Sequence, residues 1–213
     1  MQLEKLDITE GINPKEAIIL TILAEQIHGD KPVFAEIGSW KGHSASIIGA
    51  VARGRGGHLY CVDHWQGNAG TRNYYPAHEE DIYVIFEHNM KALHLWDVIT
   101  PVIKESQEAY KEFENNSIDF LFIDADHRYT PFISDLRSWY PKIKKGGIIC
   151  GHDCEVKYSK ADDDLRERID SHLELDFDGN YHCGVIRGLY DFFNDDYART
   201  DDIRIWMKRL TDD

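Results

Sequence analysis

Short apolar runs of strand length alternate with longer segments of helical periodicity along most of this chain. The strand-like runs are PVFAEIG (32–38), GHLYCVDHW (57–65), VITPVIKES (98–106), SIDFLFIDAD (117–126), IICGHDC (148–154) and IRIWMKRL (203–210). Helical patterns occupy residues 14–29, 43–54, 81–94, 130–143 and 184–193. This alternation predicts a single-domain α/β fold with a doubly wound, mostly parallel sheet and helices on both faces.

Individual segments refine this expectation. The unbroken apolar run at 117–126 is typical of a central parallel strand, whereas Pro101 predicts an edge position for its strand because proline cannot donate to a ladder. The sequence KKGG at 144–147 predicts a glycine turn. The helical pattern at 14–29 is interpreted as amphipathic, ending at Gly29.

The predicted domain has a simple internal organisation. Residues 1–30 form an N-terminal helical segment, 33–153 a core, 154–182 an acidic flap, and 183–213 a C-terminal helix and strand. The acidic segment is either a lid over a site or a solvated linker, and both readings remain open. The N-terminal helix and the tail are equally compatible with a homodimer surface.

Length, composition and net charge indicate one domain and exclude some classes of binding partner. A length of 213 residues with 42% hydrophobic residues suits one well-filled core, and a net charge of −14 argues against nucleic acid or an anionic membrane as a partner. No apolar run approaches the roughly 20 residues of a membrane span, and the first residues lack the pattern of a signal peptide. We therefore expect a cytoplasmic protein with reduced cysteines.

Polar side chains interrupt the apolar runs mainly at their carboxyl ends, where ligands bind in open parallel sheets. A single such residue is often a helix cap, but clusters at five strand ends favour a shared site. The residues at these ends are Glu36, Asp63, His64, Ser106, Gln107, Asp124, Asp126, His127, His152 and Asp153.

The turn in FAEIGSWKGHSAS (34–46) indicates the ligand. Its spacing is Glu-x-Gly-x-x-x-Gly, so it lacks the third glycine of a dinucleotide motif, which disfavours a nicotinamide oxidoreductase. Glu36 is unfavourable beside phosphate and favourable beside a cation, and Asp63 suits ribose hydroxyls. S-adenosylmethionine carries both a ribose and a cationic methionyl group.

The segments EIGSWKGHS, CVDHW, KESQEA, FIDADHRYTPFISDL and KKGGIICGHDC together resemble a Rossmann-like class I S-adenosylmethionine-dependent methyltransferase. Within that class they resemble the metal-dependent small-molecule O-methyltransferases, in the group of the macrolide-sugar methyltransferases and cephalosporin-hydroxylase-like proteins. The resemblance implies a small-molecule acceptor with a hydroxyl group. It implies cofactor contacts at Glu36, Gly38, Ser39, Gly42, Ser44, Asp63, His64, Ser106, Gln107 and Asp124, with Glu36, Gly38 and Gly42 at the methionyl part, Asp63 at the ribose, and Ser106 and Gln107 at the adenine.

The same resemblance implies a divalent metal held by Asp124, His152 and Asp153. Relatives usually bind magnesium with acidic or amide ligands, whereas the imidazole of His152 favours manganese, iron, zinc or nickel. The alternative is that His152 only hydrogen-bonds nearby and Asp153 caps the next segment.

The candidates for the group that deprotonates the acceptor are Asp126 and His127, with a slight preference for Asp126. His127 has an alternative interpretation as a polar surface residue. The long loop 64–81, with Trp65, Tyr74 and Tyr75, is a candidate acceptor wall. Other functions on the same fold remain open, namely a metal-dependent hydroxylase or hydrolase and a catalytically silent S-adenosylmethionine-binding protein.

Overall fold

The computed structural model describes residues 6–8 and 11–211. Its strands are β1 (Val33–Ile37), β2 (His58–Asp63), β3 (Ile99–Ile103), β4 (Ile118–Ile123), β5 (Ile143–Gly151), β6 (Ala198–Arg199) and β7 (Trp206–Arg209). Its helices are α1 (Pro14–Glu25), α2 (His43–Gly54), α3 (Tyr74–Glu79), α4 (Ile82–Ala92), α5 (Ser106–Ala109), α6 (Tyr129–Trp139), α7 (Asp163–Ser171) and α8 (Cys183–Phe193). Within these residues the strands form one sheet in the order β3-β2-β1-β4-β5-β7-β6.

The pairing of the strands confirms the predicted doubly wound sheet. Strands β1 to β5 run parallel, and β7 joins antiparallel between β5 and β6. The apolar strand β4 lies between β1 and β5, as its composition predicts, and β3, which contains Pro101, is at the edge. The order reverses between β1 and β4, so the switch point lies beside the turn that follows β1.

Successive side chains of the strands are buried in two different cores, one on each face of the sheet. Phe34 belongs to the core that contains Leu20 of α1 and Phe86 of α4, whereas its neighbour Ala35 belongs to the core that contains Leu136 of α6 and Leu189 of α8. Each face is therefore covered by helices, as the period-two pattern of buried strand residues requires.

Three local expectations are wrong. The residues KKGG are part of β5 and not a turn, because the strand bulges there: Ile143 pairs with Ile118 and Ile148 with Phe120. Helix α1 ends at Glu25 and is not cleanly amphipathic, since its Ile18 is 61% exposed. The loop after β2 contains a helix, α3, that the sequence pattern did not predict.

The acidic segment 154–182 is better anchored than its charge suggests. It contains α7, whose Ile169 is fully buried against Ala161 and against Cys183 and Ile186 of α8. The segment is therefore attached to α8 by an apolar contact, and its role as a lid stays a prediction. None of the helices in the described part of the chain combines the length and apolarity that crossing a membrane requires.

The contact between α8 and the segment after β4 depends on Gly184. A Cβ atom at Gly184 would lie 2.3 Å from the Tyr129 nitrogen and 2.4 Å from the His127 oxygen. The helix can approach this backbone only because the position has no side chain.

Gly184→Ala should therefore lower the free energy of unfolding by about 1–3 kcal/mol, the usual cost of overpacking. The matched control is Gly54→Ala at the end of α2, where a Cβ would meet nothing within 4 Å among the described residues. It should be neutral or stabilising by up to about 1 kcal/mol, because alanine favours helix. Urea unfolding of the two variants measures the difference, and equal effects would contradict this account of the packing.

Candidate active site

The carboxyl ends of β1 and β4 approach closely at Gly38, where two clefts meet. Gly38 has φ 88°, and a Cβ there would lie 2.2 Å from the backbone oxygen of Asp124. Gly42 has φ 93°, and its Cβ would lie 2.6 Å from Met90 Cε. Both glycines are thus required by contacts within the protein. Gly38 lines both clefts and Gly42 lines neither, so the cofactor contact at Gly42 stays a prediction.

We call the first cleft the Ser44 cleft; its empty space of about 610 Å³ includes the solvent at its open mouth. Five predicted site residues line it: Gly38, Ser39, Ser44, Asp124 and His127. The remainder of its wall is Asp7, Ile8, Gly11, Ile12, Trp40, Lys41, His43, Arg72 and Asn73. Of the predicted aromatic wall, Trp65 is only 4% exposed and packs on Phe86 in the core, so it is not available to stack on a ligand.

Glu36 lies beneath this cleft and is fully buried. Its Oε2 accepts a 2.6 Å hydrogen bond from the Ser39 hydroxyl, and its Oε1 has no hydrogen-bond partner among the described residues. Burial raises the pKa of Glu36 to about 7, against the hydrogen bonds from Ser39 and Ser44. Direct contact between Glu36 and a methionyl group stays a prediction, because Ser39 and Ser44 lie between this carboxyl and the cleft.

The second cleft, the Ser106 cleft, has a volume of about 560 Å³. Its polar lining includes the predicted residues Asp63, His64, Ser106, Gln107 and Asp126, and also Asn68, Lys104, Glu105 and Asp135. Asp135 of α6 organises its floor, because its Oδ1 accepts hydrogen bonds from Ser106 Oγ at 2.5 Å and Gln107 Nε2 at 2.7 Å. Burial raises the pKa of Asp135 to about 6.

Asp63 fixes the turn that separates the clefts. Its Oδ2 accepts hydrogen bonds from the backbone nitrogens of Ser39 at 3.0 Å and Trp40 at 2.9 Å, and its Oδ1 from that of Trp65 at 2.7 Å. The carboxylate therefore holds the turn after β1, a role that the sequence did not predict. A carboxylate accepts about four hydrogen bonds, so capacity remains for a hydroxyl.

The two candidate bases face different clefts. Asp126 is 8% exposed, lines the Ser106 cleft and accepts a 2.9 Å hydrogen bond from Arg128 Nε, with further contacts to that guanidinium. His127 is also 8% exposed, so its interpretation as a surface residue is wrong, and it lines the Ser44 cleft. The two candidates are thus separated in space, and which of them is the base stays a prediction.

A buried cluster of histidines and carboxylates lies at the end of β5, around Asp153. Asp153 Oδ2 is 3.0 Å from His127 Nε2, and its Oδ1 is 3.2 Å from His152 Nδ1 and 3.3 Å from His182 Nδ1. Arg204 Nη1 donates to the same Oδ1 at 3.0 Å. Asp153 therefore lies at the centre of the cluster. Its alternative interpretation as a cap of the following segment is wrong.

Each histidine also meets a second carboxylate. Asp176 Oδ1 is 2.8 Å from His127 Nδ1, Glu16 Oε2 is 3.1 Å from His152 Nε2, and Glu155 Oε1 is 2.7 Å from His182 Nδ1. Asp124 Oδ1 is 3.5 Å from His127 Nε2 and 3.9 Å from His152 Nδ1. The predicted metal ligands Asp124, His152 and Asp153 are therefore brought together, with ligand atoms within 4.8 Å of one another.

The electrostatics of the cluster favour ion pairs. Burial lowers the pKa of His152, but Asp153, Glu16 and Asp124 outweigh it and raise that pKa to about 10. Burial likewise opposes protonation of His127, yet Asp153, Asp124 and Asp176 raise its pKa well above the usual value. Burial raises the pKa of Glu16, whereas His152 lowers it to about 2. Positive charge is thus strongly favoured among these carboxylates.

Several residues of the site were not predicted from the sequence. Glu16 of α1, Asp176 and His182 are far from Asp153 along the chain, and only the fold brings them together. Asp135 was hidden because a buried acid inside a helical pattern looks like a polar-face residue. No local spacing marks any of these positions.

The fold matches solved structures of low sequence identity, among them two O-methyltransferases. Rv0187 from MTB, determined with a cofactor bound, superposes with a TM-score of 0.65 at 12% identity, covering 96% of this chain and 84% of that one. An O-methyltransferase from Bacillus cereus in complex with SAH gives 0.60 at 16% identity, covering 93% and 82%. The O-methyltransferase NovP gives 0.63 at 16% identity, covering 92% and 80%. At these identities the likeness establishes a Rossmann-like methyltransferase fold.

The sequence itself places the chain in a family. A family model described as a methyltransferase domain matches residues 35–154, which is more than half of the chain. The chain belongs to this methyltransferase-domain family, and the predicted class is confirmed.

Curated relatives align over short segments. Uncharacterized protein y4gI of Sinorhizobium fredii is 29% identical over 98 residues, covering 46% of this chain and 10% of that protein. Uncharacterized protein R132 of Acanthamoeba polyphaga mimivirus is 53% identical over 34 residues, covering 16% of this chain and 15% of that protein. The chain thus aligns with at most about a seventh of these relatives' length, and their names carry no activity over to it.

Asp135→Asn should change how stability depends on pH. The folded-state pKa of Asp135 is raised from 3.8 to about 6, so its stabilising contribution is complete below pH 3.8 and is lost as the pH rises through 6. The asparagine variant keeps acceptors for Ser106 and Gln107 but does not titrate. Relative to this variant, the wild type should lose about 1–3 kcal/mol of unfolding free energy between pH 4 and pH 7. Urea unfolding across this range measures it, and parallel pH profiles would refute the assignment.

Proposed function

We propose that this protein is an S-adenosylmethionine-dependent methyltransferase that transfers a methyl group to a hydroxyl of a small molecule. The observation that carries the proposal is that Gly38 lines both clefts at the switch point of the sheet. An elongated ligand with a nucleoside part and an amino-acid part can therefore lie across Gly38, with one part in each cleft.

The residues present fit this cofactor. The Ser106 cleft offers the side chains of Ser106 and Gln107, already positioned by Asp135, to a nucleobase. The Ser44 cleft lies above Glu36, whose Oε1 has no hydrogen-bond partner among the described residues and can balance a nearby ammonium group. Asp63 keeps the turn between the clefts in place and has capacity for a ribose hydroxyl.

S-adenosylmethionine supplies an electrophilic methyl group when it is bound. The protein's contribution is to orient this group and the acceptor and to exclude water. Trp40 and Arg72 form part of the wall on the acceptor side, and Asp124 and His127 lie at the floor of the same cleft. The acceptor hydroxyl is expected beside these last two residues, where a negative charge on its oxygen can be balanced.

A divalent ion is part of the proposal. Asp124, His152 and Asp153 converge as the resemblance implies, and His127 Nε2 and His152 Nε2 are buried without a hydrogen bond of good geometry among the described residues. Each of these nitrogens faces a carboxylate, His127 Nε2 that of Asp153 at 3.0 Å and His152 Nε2 that of Glu16 at 3.1 Å, so the cluster attracts positive charge that a divalent ion would also supply. A bound ion would act as a Lewis acid that lowers the pKa of the acceptor hydroxyl.

The cofactor site can be tested by calorimetric titration with S-adenosylhomocysteine. Asp63→Ala should weaken binding by about 1.5–3 kcal/mol, because the variant loses both the anchor of the turn and an acceptor for the ribose. Glu36→Ala should weaken binding by a similar amount through loss of the charge below the methionyl group. Asp201→Ala, at a fully exposed side chain, is the control and should bind like the wild type. Wild-type-like affinity in both site variants would place the cofactor elsewhere.

The acceptor side can be tested by comparing His127→Gln with Asp126→Asn. Release of S-adenosylhomocysteine in a panel of small hydroxylated molecules identifies an acceptor. With that acceptor, loss of His127 should reduce kcat by about 10²–10⁴-fold, the range for a group that acts directly at the reacting hydroxyl. Asp126→Asn should cost less than about 10-fold, since Asp126 pairs with Arg128 and faces the other cleft. The reverse order of effects would restore Asp126 as the base.

A further inference from the structure

The cluster around Asp153 contains a second group of potential metal ligands, apart from Asp124, His152 and Asp153. Ligand atoms of His127, Asp153 and His182 also lie within 4.8 Å of one another, and all three residues are buried. The rings of His127 and His182 are 4.8 Å apart at 65°, so they converge on Asp153 from two sides. This group offers two imidazoles and one carboxylate.

We propose that His127, Asp153 and His182 bind one divalent transition-metal ion, of the series from Mn²⁺ to Zn²⁺, in preference to Mg²⁺. This set of ligands keeps Asp153 from the set that the resemblance implies but replaces Asp124 and His152, and the inference rests on the proposed function only for the use to which the ion is put. Imidazole nitrogen suits Zn²⁺, Fe²⁺, Co²⁺ and Ni²⁺, whereas Mg²⁺ prefers oxygen ligands and retains its waters.

The carboxylate beside His127 supports this assignment. Asp176 Oδ1 is 2.8 Å from His127 Nδ1, which leaves Nε2 for an ion, whereas at His182 both Asp153 and Glu155 face Nδ1, so an ion bound there would displace the Glu155 contact. Ligating histidines commonly have such a carboxylate partner, which fixes the ring and increases its basicity. His127 Nε2 is then directed at Asp153 and is buried without a hydrogen bond of good geometry among the described residues.

Access from solvent distinguishes this group from the first one. His127 lines the Ser44 cleft, and His182 lines a third cleft together with Arg72, Phe177 and Arg204. His152, in contrast, is 4% exposed and lines none of the three clefts as the described residues form them. An ion can therefore reach His127 and His182 from the acceptor side, whereas His152 lies deeper, against Glu16.

Arg204 competes with an ion for Asp153, because its Nη1 is 3.0 Å from Asp153 Oδ1. The Arg204 side chain is 37% exposed, so the guanidinium can turn to solvent when an ion takes this oxygen. With the ion in place, His127 would act as a ligand, and the loss of kcat expected for His127→Gln would then follow from loss of the ion.

The experiment is calorimetric titration of the full chain, first stripped of metal, with Zn²⁺, Co²⁺, Mn²⁺ and Mg²⁺ separately. Zn²⁺ and Co²⁺ should bind more tightly than Mn²⁺, and Mg²⁺ at least about 100-fold more weakly than Zn²⁺. The visible spectrum of bound Co²⁺ gives a second readout that does not depend on activity. Binding of Mg²⁺ as tight as that of Zn²⁺, or absence of binding by all four ions, would overturn the proposal.

Variants identify the ligands. His182→Gln should weaken Co²⁺ by about 100-fold or more and change its visible spectrum, whereas His28→Gln, at an exposed histidine remote from the site, should change neither. His152→Gln separates the two groups of ligands: if it abolishes Co²⁺ binding while His182→Gln retains it, the ion belongs to Asp124, His152 and Asp153, and the proposal is wrong.

Asp176→Asn provides an independent answer if His182→Gln does not fold. Loss of the carboxylate on His127 should weaken Co²⁺ by about 10–100-fold, the usual effect of removing a partner of a ligand. Unchanged Co²⁺ affinity in this variant would overturn the proposal. S-adenosylhomocysteine affinity, measured in parallel, should stay at the wild-type value, so failure of the metal site and failure of the cofactor site remain distinguishable.

Discussion

The close approach of the turn after β1 to the end of β4 is the constraint on which the site depends. The Gly38 nitrogen donates to the Val62 oxygen at 2.9 Å, and the Asp124 nitrogen donates to the Ile37 oxygen at 2.8 Å. With no Cβ at Gly38, the ends of β1, β2 and β4 are thus joined at one point. A larger residue would have to displace the backbone of Asp124 and would separate the two clefts from the cluster at the end of β5. The geometry on both sides of Gly38 follows from this single contact.

The cluster around Asp153 presents a different energetic problem. Taking isolated charges out of water costs several kcal/mol each even after relaxation, so a buried carboxylate persists only with partners. The negative charge comes from five carboxylates, those of Glu16, Asp124, Asp153, Glu155 and Asp176. The three histidines and Arg204 form ion pairs with them. The neighbours lower the pKa of Asp153 well below the usual value despite its burial. Removing one partner would leave a buried charge uncompensated, so these residues stabilise one another.

The sequence was sufficient for the fold wherever the hydrophobic pattern was unambiguous. The apolar run of β4 and the proline in β3 correctly placed these strands at the centre and the edge of the sheet. The glycines of KKGG misled the prediction, because a bulge inside a paired strand uses the same residues as a turn. Polar residues at strand ends identified most of the lining of both clefts, since their position follows from the topology alone. Glu16 and His182 could not be found in this way, because their partners are set by how α1 and the segment before α8 pack onto the sheet.

The acidic segment, residues 154–182, contributes carboxylates to the cluster around Asp153. Asp176 and Glu155 belong to residues 154–182, whose charge suggested a solvated flap, yet each forms a short contact with a buried histidine. The Glu174 carboxylate also accepts a 2.6 Å hydrogen bond from the Thr130 hydroxyl at the start of α6. Opening this segment would remove carboxylates from His127 and His182 together. Any movement of the segment would therefore change the charges around His127 and His182.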